Sequence, residues 1–246
     1  MQLDHIVHYV ERTPQAMTEH ALTHGFHAVI GGKHAQWGTA NALHFLASSY
    51  IEWLSLEDEK VAREAQHPLT QLLLHDRQEG PGFLTICLRP DDMEELETKL
   101  ARKGVETTGV LHASRQTPDG QTLRWKMLFI KEAITDALPL PFFIEWSQTQ
   151  QEKYADLGAA GQLAANVVYQ QLEKVTLHTD HPEETAKYWG KLFDVEVNGH
   201  EIVLENTILV FETLQSGKNR VHQIDIKGTG VENTIEMEGA TYRLLP

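Results

Sequence analysis

The chain has a single cysteine, Cys87, in 246 residues, which excludes an internal disulfide and fits a reducing compartment. Set between Ile86 and Leu88 on an expected strand, its thiol reads as buried packing rather than as a nucleophile. Positive charge is also scarce: 21 Lys and Arg face 35 Asp and Glu, a formal net charge of -14. Binding a phosphate backbone needs clustered cations, so no nucleic-acid partner is expected. No apolar run approaches the roughly 20 residues that span a bilayer, and Met1-Gln2-Leu3-Asp4-His5 lacks a basic segment followed by an apolar one. The expectation is a cytoplasmic protein with no membrane association. Also absent are a Gly-rich phosphate loop, a His-Glu-x-x-His helix, a Cys-x-x-Cys pair and a Gly-x-Ser-x-Gly elbow, which removes the usual nucleotide-loop, zincin, dithiol and serine-hydrolase chemistries.

Hydrophobic residues make up 41% of the chain, ample for one large domain or two small ones. The 14 histidines are too many for abundance alone to locate a metal site. A repeated tetrapeptide is more informative: Tyr50-Ile51-Glu52-Trp53 returns as Phe143-Ile144-Glu145-Trp146. Each copy sets a carboxylate in an apolar run that reads as a buried strand, where an ionised group needs a cation beside it.

Around each copy the pattern is strand, helix, three strands. In the first unit strands are expected at 3–10, 26–30, 42–46 and 50–56, with a helix over 13–24 that takes Pro14 in its first turn and stops at Gly25. Gly31-Gly32 is expected to break the second of these strands. In the second unit a strand at 83–88 and a helix over 91–102 precede strands near 105–111, 123–130 and 141–147. A third unit has a strand at 172–179, a helix over 182–192 and strands at 195–197, 201–204 and 207–214. A fourth, without a helix, holds strands at 221–226, 234–237 and 242–245. Residues 69–74 read as a short helix. The division is 1–148 as one domain of two units (1–58 and 80–148), 149–171 as a linker or connecting helix, and 172–246 as a third unit plus a truncated fourth. The fold class is α+β with repeated βαβββ units.

The run Leu3-Asp4-His5-Ile6-Val7, followed by Gly31-Gly32-Lys33-His34, Trp37-Gly38-Thr39-Ala40-Asn41-Ala42-Leu43 and Tyr50-Ile51-Glu52, resembles the glyoxalase-like domain family. That family sits in the vicinal oxygen chelate superfamily, with glyoxalase I, bleomycin-resistance proteins and extradiol dioxygenases. Pro118-Asp119-Gly120, Leu123-Arg124-Trp125 and Leu140-Pro141-Phe142-Phe143-Ile144-Glu145-Trp146 carry the likeness to about residue 148. The resemblance implies curved mixed β-sheets that enclose a cavity, helices outside, and in the catalytic members a divalent metal held by the first and last strands of each unit. Carried over position by position, the metal ligands are His5, Glu52 and Glu145, with Glu52 or Glu145 also moving the proton in catalysis. Zn, Mn, Fe, Co or Ni would suit that set. Aligning Leu3-Asp4-His5-Ile6-Val7 with Phe83-Leu84-Thr85-Ile86-Cys87 puts Thr85 where glyoxalase I members carry a further His or Gln, and threonine is a poor ligand for such a metal.

Each residue also has a plainer reading. Alternation puts Leu3, His5 and Val7 on one face of a regular strand and Asp4, Ile6 and His8 on the other; His5 is then a ligand, or a packing histidine with a hydrogen bond. Glu52 and Glu145 point into the cavity if Ile51, Trp53, Ile144 and Trp146 pack under the helices; otherwise they pair with Arg115 or Arg124. His34, Thr39 and Asn41 match the family motif on a polar hairpin and are expected to touch a ligand, against a merely solvated tip. Arg115 and Arg124 would hold an anionic substrate by its carboxylate or phosphate, or else lie on the surface. Lys174 stands at the third unit's counterpart of His5, so the C-terminal half is expected to be structural or to form a homodimer. The function expected is binding of a small oxygenated, anionic molecule, with a metal acting as Lewis acid in isomerase, lyase or oxygenase chemistry. The alternative is a metal-free binding or resistance protein that holds an apolar or cationic small molecule.

Overall fold

In the computed structural model of the chain, residues 1–116, 122–213 and 217–246 are described, Arg115 and Gln116 as backbone only; the Pro118-Asp119-Gly120 motif lies outside them. The first unit comprises β1 (Gln2–Tyr9), α1 (Pro14–Thr23), β2 (Val29–His34), β3 (Thr39–Phe45) and β4 (Tyr50–Leu56). Thr13 caps α1 by accepting from the Ala16 amide, with Pro14 in the first turn. Helices α2 (Glu59–Glu64) and α3 (Pro68–Asp76) lead to β5 (Gly82–Arg89), α4 (Met93–Arg102), β6 (Leu111–Gln116), β7 (Thr122–Leu128) and β8 (Phe142–Trp146). These eight strands form one mixed sheet in the order β2-β3-β4-β1-β5-β8-β7-β6.

The centre of that sheet is an antiparallel pairing of β1 with β5 about the Ile6–Ile86 pair. Each of these strands also runs parallel to the last strand of its own unit. The two units are therefore related by an approximate two-fold axis that carries His5 onto Thr85 and Val7 onto Cys87.

The chain then passes through α5 (Gln150–Ala159), which opens with a Thr149–Glu152 capping box. The second sheet is built from β9 (Gln171–Thr179), α6 (Pro182–Phe193), β10 (Val197–Asn198), β11 (Glu201–Val203), β12 (Ile208–Thr213), β13 (Val221–Lys227), β14 (Asn233–Met237) and β15 (Ala240–Leu244). Its order is β10-β11-β12-β9-β13-β15-β14. Among the described residues no helix is long and apolar enough to cross a membrane.

Three expectations are corrected. The strand foreseen at 105–111 is loop with an isolated Thr107–Ile130 bridge, and the strand proper starts at Leu111. Helix α2, started by an Asp58 cap, was not foreseen. Gly31-Gly32 does not end β2; the strand continues to His34 through a register shift between Ile30 and Gly32, because a bulge absorbs one extra residue while the ladder carries on.

Both sheets contribute to one core, in which Leu3, Ile6, Ile51 and Trp53 from the first meet Ile224, Ile226 and Tyr242 from the second. Each such side chain contributes about 1.5–3 kcal/mol on full burial. Tyr242 is completely buried, so its hydroxyl needs partners: it accepts from Trp53 Nε1 at 2.9 Å and donates to His8 Nδ1, while His8 Nε2–H donates to the Glu238 carbonyl at 2.7 Å. That chain of bonds suits a neutral His8, and burial lowers its pKa to about 4. A second joint is the buried pair Asp76–Arg220, with Nε and Nη2 donating at 2.6 and 2.8 Å.

Tyr242→Phe leaves Trp53 Nε1 and His8 Nδ1 unpaired in this core and should cost about 1–3 kcal/mol in chemical denaturation. Burial lowers His44 to about 4 as well. Because both histidines titrate below the ordinary value of 6.5, the unfolded chain binds more protons in that window, and stability should fall as the pH drops from 6.5 toward 4. Equal stability at the two ends would contradict neutral, buried histidines.

Candidate functional site

The inner face of the first sheet carries a row of buried ionisable groups. β1 and β4 run side by side with His5 opposite Tyr50 and Val7 opposite Glu52. Alternation along β4 sends Ile51 and Trp53 into the core behind the sheet and Tyr50, Glu52 and Leu54 to the inner face. On β1 the register against β5 jumps from Leu3–Leu88 to His5–Cys87, a bulge with Asp4 as the extra residue. Leu3 thus joins Ile6 in the core, and Asp4 comes to the side of His5, where regular alternation does not put it. His5 Nδ1–H donates to Asp4 Oδ1 at 2.8 Å, and its Nε2 faces Glu52 Oε2 at 3.4 Å. Asp4 Oδ2 also accepts from Trp146 Nε1 at 3.1 Å and Arg89 Nη1 at 3.4 Å. Glu52 Oε1 accepts from Asn41 Nδ2, which reaches it diagonally from β3. A Cβ on Gly31 would lie 2.1 Å from Asn41 Oδ1, so the missing side chain is what leaves room for that amide.

Burial alone would raise both carboxyls, but their neighbours win. Lys153, His5 and Arg89 hold Asp4 at about 2; His5, the charge of His34 and the Asn41 amide hold Glu52 at about 2. Burial works against a charged His5, yet Cys87, Asp4 and Glu52 raise its pKa well above the ordinary imidazole value. The Cys87 thiol is itself pushed up to about 12 by burial and is neutral near pH 7, so the two carboxylates are what keep the proton on His5.

His5 and Glu52 floor a cavity of about 690 Å³, counting its open mouth, walled by Trp37, Trp125, Phe142, Ile144 and Trp146 among others. Tyr50 stacks on the His5 ring at 4.5 Å, and Lys153 of α5 lies over the Trp146 ring at 3.9 Å. At the β2–β3 hairpin His34 Nδ1 and Thr39 Oγ1 are 3.0 Å apart. His67, just ahead of α3, stacks on Trp37 at 4.0 Å. It is buried and its Nε2 has no partner among the described residues; burial and the charge of His34 lower it to about 3.

The structure therefore brings His5, Glu52, His34, Thr39 and Asn41 around one cavity and adds His67, with Asp4 outside the lining as the partner of His5; the sequence reading selected neither Asp4 nor His67. A bulge hid Asp4, and the His67-Pro68 helix start was the one available signal for His67. Glu145 is a correction. The two-fold that carries Val7 onto Cys87 carries Glu52, the partner of Val7, onto Phe142, the partner of Cys87. Glu145 is three residues further on, and alternation turns it to the helix side. There it accepts from the Met93 amide at the start of α4 at 2.7 Å and from Lys126 Nζ at 2.8 Å, and Ile144 and Trp146 take the inner face. Arg124 alternates with the inward Trp125 and is exposed. The side chain of Arg115 lies outside the described residues.

The four strand positions that would supply a metal are thus His5, Glu52, Thr85 and Phe142. A catalytic zinc site takes three protein ligands; here two side chains offer good donors, and one of them holds a proton. Among the described residues no group of three or more His, Cys, Asp or Glu is placed to hold a metal. The residues present do not fit the divalent metal centre expected from the resemblance.

The first sheet is thus a mixed sheet of paired βαβββ units with a cavity on its inner face. The model of the glyoxalase-like domain family matches residues 3–193, through the end of α6, and the chain belongs to that family. A hypothetical protein from Staphylococcus aureus has the same overall structure, with a TM-score of 0.82, 25% identity and coverage of 99% of this chain and 98% of that one. A methylmalonyl-CoA epimerase from Streptomyces coelicolor aligns with a TM-score of 0.43 at 15% identity, over 60% of this chain and 99% of that one. The epimerase from Mycobacterium tuberculosis gives 0.40 at 18%, over 62% and 91%. Likeness as slight as these two carries no argument about chemistry. No curated protein matches the chain.

Asp4→Asn should lower the pKa of His5, read from its imidazole resonances in an NMR titration; an unchanged titration would remove Asp4 from the site. Gly31→Ala should displace the Asn41 amide from Glu52 and weaken whatever the cavity binds.

Proposed function

We propose that the protein binds a compact, largely apolar small molecule bearing an oxygen function, with His5 donating the hydrogen bond that meets that oxygen. The observation that carries this reading is the Asp4–His5–Glu52 row at the floor of an aromatic cavity. At 3.4 Å the His5–Glu52 contact is long for a hydrogen bond, so the Nε2–H is held loosely and a ligand oxygen can take it over. Asp4 keeps the ring oriented and charged while that exchange happens. The aromatic walls accept a ring or chain, and the neutral His67 Nε2 supplies a second polar contact. The cations nearest the floor, His5, Lys153 and Arg89, are already engaged by Asp4 and Glu52, which favours a neutral ligand over an anion.

A second reading is proton-transfer catalysis in the same cavity. It is favoured by the coexistence of a protonated His5 and an ionised Glu52 on one floor, a donor and an acceptor in reach of one substrate. With Glu52 held at about 2 the acceptor is a weak base, which places binding ahead of turnover. Isomerase, lyase or oxygenase chemistry through a metal lacks its donor set here.

Calorimetry and tryptophan fluorescence with phenol, benzylamine and benzoate separate these alternatives. Phenol should bind, benzylamine and benzoate should bind more weakly, and a chelator should change nothing. His5→Ala should weaken phenol about tenfold, equivalent to about 1.4 kcal/mol. Benzoate binding more tightly than phenol and unaffected by His5→Ala would sink the reading.

A further inference from the structure

We infer that the cavity continues past Phe142 into a second, apolar chamber that takes the tail of the ligand proposed above, with Thr85 as its polar contact; this rests on that reading of the first cavity. The chamber measures about 610 Å³ counting its mouth and is lined mostly by apolar side chains, Leu69, Leu72, Phe129 and Phe142 among them, together with Thr85, Thr135 and Glu132. Leu69 and Phe142 line both spaces. Phe142 stacks face to face on Phe129 at 5.1 Å and meets the His5 ring edge-on at 5.5 Å. One aromatic ring is thus the partition between the charged floor and the second chamber, and joining the two requires that ring to move aside.

The second observation is Thr85 itself. It is 5% exposed, it lines the chamber, and its Oγ1 has no hydrogen-bond partner among the described residues. Buried hydroxyls are nearly always paired, so an unpaired one in the wall of a cavity marks a place for a ligand atom to complete it. The two-fold axis carries His5 onto Thr85, so the chamber is the second unit's counterpart of the polar cavity. The same architecture offers a protonated imidazole in one half and a hydroxyl among apolar walls in the other. A molecule spanning both needs an oxygen-bearing head for His5 and a short chain for the chamber, with one acceptor in that chain for Thr85.

The test is a series of 4-alkylphenols, from phenol to 4-hexylphenol, and the matching 4-alkoxyphenols, titrated into wild type, Thr85→Val and Ala137→Trp. Ala137 lines only the second chamber. Affinity should rise about tenfold or more from phenol to 4-butylphenol in wild type, as each added methylene is buried. Alkoxyphenols should exceed alkyl members of equal length several-fold, an advantage lost in Thr85→Val. Ala137→Trp should abolish the chain gain and leave phenol unchanged. A flat series with phenol still bound, or an undiminished gain in Ala137→Trp, overturns the chamber while the head site stands. No binding by any member overturns both.

Discussion

Asp4 and Glu52 have 2% and 8% of their surfaces exposed, and a carboxylate so far from water must be met by charge and hydrogen bonds or give up its ionisation. Much of the site follows from that requirement. A bulge turns Asp4 inward, and His5 is held between the two acids with its proton kept on. Arg89 and Trp146 saturate the far side of Asp4, Asn41 saturates the far side of Glu52, and Gly31 gives way so that Asn41 fits. Remove the central imidazolium and two negative charges face each other in a dry place. The same arrangement that makes His5 available to a ligand also makes the row self-sufficient without a metal.

The fold was legible because it is written in periodicities. Strands with apolar alternation, helices opened by Thr13-Pro14 or Asp92 and the return of the βαβββ order at 82, then at 171, are local signals, and tertiary structure followed them. The site was legible only in its first unit. His5, Glu52, His34, Thr39 and Asn41 share the cavity because a single unit with ordinary alternation carries them. Glu145 shows where such reasoning stops. Two tetrapeptides alike in letters sit three residues apart in register, and on a strand an odd offset reverses the face. Asp4 shows the converse, since one extra residue in β1 moves a side chain to the face that alternation denies it.

The two units have consequently diverged in a directed way. Around the axis at Ile6–Ile86, one half presents charge and the other presents Thr85, Phe142 and Phe129. A duplicated scaffold keeps backbone pairing, which depends on main-chain bonds, while the inward side chains are free to part company. The carboxylate left over in the second unit serves the fold: Glu145 takes the first free amide of α4 and the ammonium of Lys126, where a negative charge complements a helix start.

Arg220 links these halves to the third and fourth units. Besides its paired bonds to Asp76 it donates to the carbonyls of Thr135 and Ala137 at 2.9 and 2.7 Å, and both of those residues border the apolar chamber. The wall of a space in the first sheet is therefore pinned by a residue at the start of β13 in the second. On the proposal above, occupancy of that space and the docking of the two sheets become reciprocal quantities: a guest that firms the wall tightens the seam, and a loosened seam lowers the guest's residence.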